Sequence, residues 1–187
     1  MLRISGGELK GRLVKAPPGQ ATRPTSAKVR EALFAILGAR VAEARVADLF
    51  AGSGALGLEA LSRGAARCLF VDQAPAALKL LGRNLDALGL TGRAKVLGMD
   101  LASPAAGRRL AQEGPFDLIL ADPPYGRGLA AMIAGLAAKA GILAPEGRLV
   151  IEHSHRERPV ALAGLVLGDH RIYGQTELSF FEAPQEP

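Results

Sequence analysis

Short apolar segments alternate with helical, Ala- and Leu-rich segments over most of this chain, beginning near residue 45. The apolar segments are predicted strands at 45–50, 68–72, 94–97, 116–121 and 148–152, and the intervening helices are predicted near 55–63, 75–88, 104–112 and 129–140. Strands that are apolar throughout, with a helix between each pair, are typical of a parallel sheet covered on both faces. The sequence therefore predicts an α/β fold.

The two ends of the chain depart from this alternation. Segments 165–173 and 176–182 are joined only by Gly174-Gln175, which predicts an antiparallel hairpin closing the sheet. Residues 2–16 predict a small basic hairpin that pairs 3–5 with 12–14, followed by a linker at 17–20 and a helix at 26–37, capped by Thr25 or Ser26 and ended by Gly38. We expect an extension (1–20) that adds little to the core, an α/β domain (21–183) and a tail (184–187).

The composition indicates the cellular compartment in which the protein is expected. Hydrophobic residues make up 49% of the 187 residues, enough for a buried core, but no uninterrupted apolar run reaches the ~20 residues that span a bilayer. The first residues lack the apolar stretch of a signal peptide. Cys68 is the single cysteine, so no internal disulfide can form. These features favour a cytoplasmic protein, and Cys68 itself is expected in the core.

Positive charge is concentrated at the start of the chain. Nine basic and three acidic residues within 1–45 give +6, so the other residues carry −1 of the net +5. Such a distribution favours contact with a phosphate backbone, although charge alone fits an ordinary solvated surface equally well. The candidate RNA contacts are Arg3, Lys10, Arg12, Lys15 and Arg23.

A glycine-rich loop follows the first predicted strand, where α/β folds bind nucleotides. It reads Asp48-Leu49-Phe50-Ala51-Gly52-Ser53-Gly54-Ala55-Leu56-Gly57. Gly52 and Gly54 are expected to let the backbone approach a ligand, and Gly57 to let the helix lie close to the strand. The spacing by itself also fits a dinucleotide site or a tight turn without a ligand.

Three acidic residues refine this interpretation. Asp48 would repel a pyrophosphate but attract a cationic sulfonium ligand or its ammonium group, so it favours S-adenosylmethionine over NAD. Asp72 ends the second strand, where a carboxylate can accept hydrogen bonds from ribose hydroxyls. Asp100 follows the third strand and fits either an adenine amino group or a helix N-cap ahead of Pro104.

The tetrapeptide Asp122-Pro123-Pro124-Tyr125 directly follows the fourth strand. Proline has no N–H, so this loop offers acceptors and few donors, and the two rings stiffen it. Two acceptors can hold the hydrogens of a planar –NH₂ group and turn its lone pair towards a methyl donor. Asp122 can then take up the released proton, while Tyr125 offers a face on which a base can stack. A base inside a helix cannot reach such a loop, so the substrate must be unpaired or flipped out.

These motifs together resemble the class I methyltransferases, and more narrowly the bacterial small-subunit rRNA guanine-N2-methyltransferase (RsmD) family. The resemblance runs from about Arg3 to Phe181. It includes Arg3-Ile4-Ser5-Gly6-Gly7, Lys10-Gly11-Arg12, Thr22-Arg23-Pro24-Thr25, Val29-Arg30-Glu31-Ala32-Leu33-Phe34 and Tyr173-Gly174. The part that points to this family is the Arg-Pro-Thr segment together with Arg-Glu-Ala-Leu-Phe, whereas the glycine loop and the Asp-Pro-Pro-Tyr turn mark only the superfamily. Gln73, after the second-strand acid, stands where a basic or polar residue is common.

The resemblance implies a Rossmann-like class I methyltransferase: a seven-stranded, mostly parallel sheet with an antiparallel last strand and a small N-terminal hairpin. It implies S-adenosylmethionine near a cofactor set of Asp48, Phe50, Gly52, Gly54, Asp72 and Asp100, with guanine N2 near Asp122 and Tyr125. The implied substrate is 16S rRNA in the assembled or assembling small subunit, with guanine 966 as the expected nucleotide. A monomer is expected.

Three rival functions stay open at this stage. An adenine-N6 or glutamine-amide methyltransferase would use a similar Pro-Pro-aromatic loop, although the glutamine enzymes favour Asn where this chain has Asp122. A nicotinamide-dependent oxidoreductase is disfavoured by Asp48, and a non-enzymatic RNA-binding factor would leave the tetrapeptide unexplained. His153 and His155 lack a visible third ligand, so no metal is expected.

Overall fold

The structure is a computed structural model that describes residues 1–16, 24–157 and 164–183. The predicted linker at 17–20, Arg23 and the predicted tail at 184–187 lie outside the described residues. The chain divides into two compact units, Met1–Gly98 and Met99–Pro187.

The first unit contains the small hairpin and the first half of the strand–helix alternation. Its elements are β1 (Leu2–Arg3), β2 (Leu13–Val14), α1 (Pro24–Leu37), β3 (Arg45–Leu49), α2 (Ala55–Ser62), β4 (Arg67–Asp72), α3 (Pro75–Leu88) and β5 (Ala94–Gly98). Short 3₁₀ turns lie at Gly38–Val41 and Thr91–Arg93.

The second unit continues the alternation and ends in the predicted hairpin. Its elements are α4 (Ala106–Glu113), β6 (Phe116–Ala121), α5 (Leu129–Ala140), β7 (Leu143–Ser154), a 3₁₀ turn at His155–Glu157, β8 (Val166–Tyr173) and β9 (Thr176–Glu182).

The strand order confirms the expected fold class. Strands β1 and β2 form a separate antiparallel pair, and the other seven form one sheet in the order β5-β4-β3-β6-β7-β9-β8. The pairs β3–β4, β4–β5 and β6–β7 are parallel, whereas β9 runs antiparallel to both β7 and β8. The fold is therefore a Rossmann-like α/β sheet with an antiparallel terminal strand.

Burial explains why these segments form strands. In β3, Val46, Ala47 and Leu49 are fully buried, and in β9 Phe180 and Phe181 are at most 1% exposed. A continuous apolar run is stable in a strand only when both faces are covered, which the flanking helices provide. Cys68 in β4 is buried and unpaired, as its apolar setting predicted.

Several predicted boundaries differ from the structure, and the starts of α1 and β7 are two of them. Helix α1 begins at Pro24, earlier than predicted, so Thr25 and Ser26 lie within the helix; proline is tolerated in a first turn because its missing N–H needs no partner there. Strand β7 begins at Leu143, before the predicted 148, and its ladder with β6 has an irregularity between Phe116 and Leu118.

No helix among the described residues is long and apolar enough to cross a membrane.

The N-terminal hairpin contributes to the core, contrary to expectation. Ile4 is 3% exposed and Val14 is 2% exposed. Two backbone amides of the hairpin, those of Glu8 and Leu9, donate to the carbonyl and hydroxyl oxygens of Ser62 at 2.7 and 3.0 Å. The hairpin has few hydrogen bonds between its own strands. It is held instead by the burial of Ile4 and Val14 and by hydrogen bonds to the end of α2.

A buried carboxylate anchors this hairpin. Glu59 in α2 has no exposed side-chain area, and both of its oxygens accept hydrogen bonds from Ser5, from the amide at 2.9 Å and from the hydroxyl at 2.7 Å. Arg30 and Arg63 bring their Nε atoms to 3.5 and 2.8 Å from the same carboxylate. Arg30 also donates to the carbonyl of Arg3 at 2.7 Å. The Arg-Glu-Ala-Leu-Phe segment therefore has a structural role, since its arginine compensates a buried charge that would otherwise be costly.

Candidate cofactor loop and catalytic loop

The glycine loop turns sharply where β3 ends. Phe50, which is partly buried, has φ +63°. This is a left-handed backbone conformation that residues other than glycine adopt at an energetic cost. The amide of Ala51 then donates to Val71 of β4 at 3.0 Å, and the amide of Gly54 donates back to Ala51 at 2.7 Å. Helix α2 begins directly after Gly54. The loop therefore has a fixed, tight backbone path.

The glycines of this loop have different structural roles. Gly54 has φ +86°, and a Cβ there would lie 2.5 Å from a methyl carbon of Leu81, so packing within the protein requires it. A Cβ on Gly57 would lie 2.3 Å from the Phe70 ring, which confirms that this glycine lets α2 approach β4. At Gly52 the same atom would meet open space apart from the Phe50 carbonyl oxygen at 4.0 Å. The space beside Gly52 is therefore open for a ligand to approach, and the cofactor roles of Gly52 and Gly54 stay predictions.

Asp48 lies beneath the loop. It is 2% exposed and accepts a hydrogen bond from the amide of Gly57 at 2.8 Å. Burial raises the pKa of Asp48 to about 7; the Gly57 bond opposes this shift and the charge of Asp72 adds to it. Asp48 therefore fixes the first turn of α2 through the Gly57 amide.

Asp72 is better placed for direct contact. It lies at the end of β4, as predicted, and is partly exposed. One of its oxygens accepts from the amide of Gly52 and the other from the amide of Ala74, both at 2.8 Å. Each carboxylate oxygen has two acceptor sites, so these bonds leave capacity for hydroxyl donors. Asp72 thus orients Gly52 and presents a negative charge beside it.

Asn84 is a functional candidate that the sequence analysis missed. Its amide nitrogen donates to the carbonyls of Ser53 and Lys15 at 2.9 and 3.0 Å, and its oxygen accepts from the amide of Lys15 at 3.0 Å. It is 3% exposed. Asn84 therefore links the glycine loop to the end of the N-terminal hairpin. The available signal was a lone amide on the face of α3 that also carries Leu81, Leu85 and Leu88.

Asp100 lies in the second unit and is exposed. Its carboxylate accepts from the amide of Ala102 at 2.9 Å, which closes a local turn. Helix α4 begins only at Ala106 and has no side-chain cap, so the expectation that Asp100 caps this helix was wrong. The adenine role of Asp100 stays a prediction.

The Asp122-Pro123-Pro124-Tyr125 tetrapeptide begins directly after β6. Asp122 and Pro124 are exposed, Pro123 is buried, and Tyr125 is 40% exposed. An exposed carboxylate and an exposed aromatic ring lie on either side of two prolines, one of which anchors the loop in the core. The arrangement presents an acceptor and a stacking face.

Tyr125 is held at its far end. Its hydroxyl donates to Glu152 at 3.1 Å and lies 3.2 Å from the hydroxyl of Thr176, while the next amide, that of Gly126, donates to Glu157 at 2.7 Å. Burial, chiefly, raises the pKa of Tyr125 far above its usual range; the charges of Glu152 and Asp122 add to the shift and the Thr176 bond opposes it. The phenol is therefore neutral at physiological pH.

Four of the five predicted RNA contacts are described and exposed, namely Arg3, Lys10, Arg12 and Lys15; Arg23 lies outside the described residues. The two arginines also bind within the unit: Arg3 donates to the carbonyl of Gly11 at 2.8 Å, and Arg12 to that of Ala87 at 3.2 Å. The two lysines are the simplest probes of an RNA surface, since their charge can be removed without breaking such a bond.

Metal ligation finds no support within residues 1–16, 24–157 and 164–183, where no group of three His, Cys, Asp or Glu side chains could hold an ion. His153 is 1% exposed, and its ring nitrogens lie 2.8 Å from the Ser179 hydroxyl and from the Ser154 carbonyl oxygen. His153 is thus a hydrogen-bonded core residue.

Known proteins match nearly the whole chain. The family described as conserved hypothetical protein 95 matches residues 2–182. A putative rRNA methyltransferase of Bacillus subtilis is 38% identical and the match covers 97% of this chain and 98% of that protein. The ribosomal RNA small subunit methyltransferase D of Escherichia coli is 36% identical, with 97% and 89% covered. A solved structure of a putative methyltransferase from Escherichia coli superimposes with a TM-score of 0.83 at 35% identity, covering 99% of both chains.

Proposed function

The chain belongs to the family of small-subunit rRNA methyltransferase D, described as conserved hypothetical protein 95, and is a methyltransferase. On that premise we propose that it methylates the exocyclic N2 of a guanine in 16S rRNA. The methyl donor in this proposal is S-adenosylmethionine, and the substrate is the small ribosomal subunit, with guanine 966 as the target.

One observation carries the proposal: the exposed Asp122 carboxylate and the half-exposed Tyr125 ring are presented together on a proline-stiffened loop. The amine of guanine is a poor nucleophile because its lone pair is delocalised into the ring. A carboxylate that accepts a hydrogen bond from one N–H of this amine localises the lone pair on the nitrogen. A flat aromatic face orients the base.

The residues of the first unit fit the proposed cofactor. S-adenosylmethionine, when bound, supplies a methyl group activated by a sulfonium charge. Asp72 offers acceptor sites for ribose hydroxyls, and the space above Gly52 admits a ligand close to the backbone. Asp48, with a pKa of about 7, is partly ionised at neutral pH and contributes negative charge beside the loop. A pyrophosphate would meet this charge unfavourably, which argues against a dinucleotide.

The tasks of the catalytic loop follow from acid–base chemistry. Asp122 binds one amine hydrogen and receives a proton as the amine gains its methyl group, and Tyr125 holds the base by stacking. Orientation of this kind contributes up to ~7–11 kcal/mol in ideal cases. The target base must leave its stack to reach the loop, so an unpaired nucleotide is the expected substrate.

Two measurements test the proposal. Calorimetric titration should show S-adenosylhomocysteine binding and no NAD binding. The purified enzyme with labelled S-adenosylmethionine should methylate small-subunit particles isolated from a deletion strain. Digestion and mass mapping should place the label on guanine N2. Binding of NAD alone would exclude the proposed cofactor, and label on adenine N6 would favour the rival adenine methyltransferase.

A further inference from the structure

We propose that Glu152 and Thr176 are positioning residues that clamp the hydroxyl of Tyr125 and thereby set the tilt of its ring towards the target base. The inference rests on the proposed function, because it assigns to these two side chains the orientation of the stacking surface. Neither residue belongs to a motif singled out in the sequence.

The hydrogen bonds have a definite direction. A phenol has one hydrogen, and an ionised carboxylate only accepts, so Tyr125 donates to Glu152 across 3.1 Å. Thr176 must then donate its own hydrogen to the phenol oxygen across 3.2 Å. The resulting chain, Thr176 to Tyr125 to Glu152, fixes the phenol oxygen from two sides.

The clamp stands on a rigid platform. Glu152 lies near the end of β7, and Thr176 is the first residue of β9. The two strands pair antiparallel, with Thr176 opposite Ser154, and Thr176 also pairs with Tyr173 of β8 across the Gly174-Gln175 turn. The position of the clamp is therefore set by β7 and the C-terminal hairpin together.

The ring needs such support because the chain beyond it is permissive. The two prolines stiffen the backbone only up to Tyr125, and the next positions are Gly126, with φ +79°, and Gly128, with φ +64°. The 40% exposure of Tyr125 leaves much of its ring without packing that would fix its torsions. The bond from the Gly126 amide to Glu157 ties the backbone, and the hydroxyl clamp ties the far end of the ring.

The key test is a double-mutant cycle on single-turnover methyl transfer. Thr176→Val keeps the side-chain shape and removes only the bond to the phenol oxygen, whereas Tyr125→Phe keeps the ring and removes both bonds of its hydroxyl. Each should slow methyl transfer by about two- to tenfold, as expected for the loss of one or two hydrogen bonds. The double variant should be no slower than Tyr125→Phe alone, because the partner of Thr176 is already absent.

Three further variants and measurements separate positioning from structural damage. Glu152→Gln retains an acceptor and should recover most of the rate lost in Glu152→Ala. Tyr173→Phe is the matched control, since it removes the hydroxyl of the other tyrosine, on the same hairpin. We expect wild-type rate for this control, and unchanged S-adenosylhomocysteine affinity and melting temperature for all single variants.

The outcomes are distinguishable. Additive losses in the double variant, wild-type rates in Thr176→Val, or rates that simply follow melting temperatures would overturn the clamp while wild-type methyl transfer remained intact. Absence of methyl transfer in the wild-type enzyme would instead overturn the proposed function.

Discussion

The glycine loop and the catalytic loop are both turns that leave a parallel strand, and in both a carboxylate holds a backbone amide. They differ in where the carboxylates come from. In the glycine loop Asp48 binds Gly57, nine residues away, and Asp72 binds Gly52, 20 residues away. In the catalytic loop, Gly126 is held by Glu157 from 31 residues away, and the Tyr125 hydroxyl contacts Thr176, 51 residues away.

This difference predicts different effects for substitutions in the two loops. The glycine loop is buried and built from neighbouring segments, so its carboxylates serve folding and ligand binding together. The catalytic loop exposes its working groups and takes its support from a distant hairpin. We therefore expect substitutions in the first loop to change stability and affinity, and substitutions in the second to change turnover.

The largest contrast is expected at Asp122. Asp122→Ala should reduce methyl transfer by ~10²–10⁴-fold, the range for loss of a general acid–base group. Affinity for S-adenosylhomocysteine, measured by calorimetry, should be unchanged because the proposed cofactor contacts lie elsewhere. Asp122→Asn keeps an acceptor oxygen and should retain more activity. A near wild-type rate for Asp122→Ala under single-turnover conditions would remove this loop from the mechanism.

The next effect concerns the stability conferred by Asp48. Its pKa is about 7 in the folded protein and 3.8 ordinarily, so the folded state holds the proton more tightly. The free energy of unfolding should therefore fall as pH rises from about 4 to 7, by on the order of 4 kcal/mol at most from this group.

Urea unfolding across this pH range measures the effect. Asp48→Asn keeps an oxygen for the Gly57 amide but cannot ionise, so its stability should lack this part of the decline. Asp86→Asn, at an exposed position on α3, is the control and should follow the wild-type profile. Parallel profiles for Asp48→Asn and wild type would show that the buried carboxylate does not govern stability.

A smaller effect is expected for cofactor affinity at Asp72. Asp72→Ala should weaken S-adenosylhomocysteine binding by about 1.5–3 kcal/mol, as for charge-assisted hydrogen bonds. Part of this loss comes from the freed Gly52 amide. Asp72→Asn, which keeps one acceptor oxygen, should bind with intermediate affinity in the same titration. If both variants bind as tightly as the wild type, the ligand does not use the end of β4.

The smallest effect tests RNA contact by the N-terminal hairpin. Replacing Lys10 and Lys15 with glutamine should weaken binding to small-subunit particles and reduce the log–log salt slope by about 1.5 units, at roughly 0.7–0.9 for each phosphate contact. Filter binding over a salt series measures this, and Arg108→Gln with Arg109→Gln, exposed on α4, is the matched control. An unchanged slope would place the RNA surface elsewhere, for example around Arg127.

Neutralising these two lysines tests RNA contact more cleanly than deleting the hairpin would. Deletion of residues 1–20 would also remove the buried Ile4 and Val14 and leave Glu59 without its Ser5 donors. The deletion would then lower stability together with RNA affinity, and the two effects could not be separated.

Local signals explain what the sequence predicted well. Helix α3 was predicted to the residue because Pro75 opens it and Gly89, with φ +70°, closes it. Strand β6 was likewise predicted to the residue, since its apolar run is bounded by Pro115 and by Asp122-Pro123. The tetrapeptide and the glycine loop were placed correctly after β6 and β3 for the same reason.

Distant polar contacts explain what the sequence did not predict. The bond between Lys15 and Asn84 joins residues 69 positions apart, and the clamp on Tyr125 joins residues 27 and 51 positions apart. Propensity and periodicity describe neighbours along the chain, so neither indicates which buried amide will accept which distant donor. The contribution of Ile4 and Val14 to the core was missed because it depends on the docking of the hairpin against distant residues such as Glu59 and Ser62.

The anchoring of the hairpin by Glu59 has a consequence for the order in which the protein forms. Residues at the start of a chain leave the ribosome first, yet Ser5 cannot find its partner until residue 59 has been made, and Lys15 must wait for residue 84. The hairpin is thus synthesised before the residues that hold it and is among the last parts of its unit to be fixed in place. During that interval Ile4 and Val14 are exposed, so the nascent chain offers its most basic segment, still undocked, to the ribosome on which it is made.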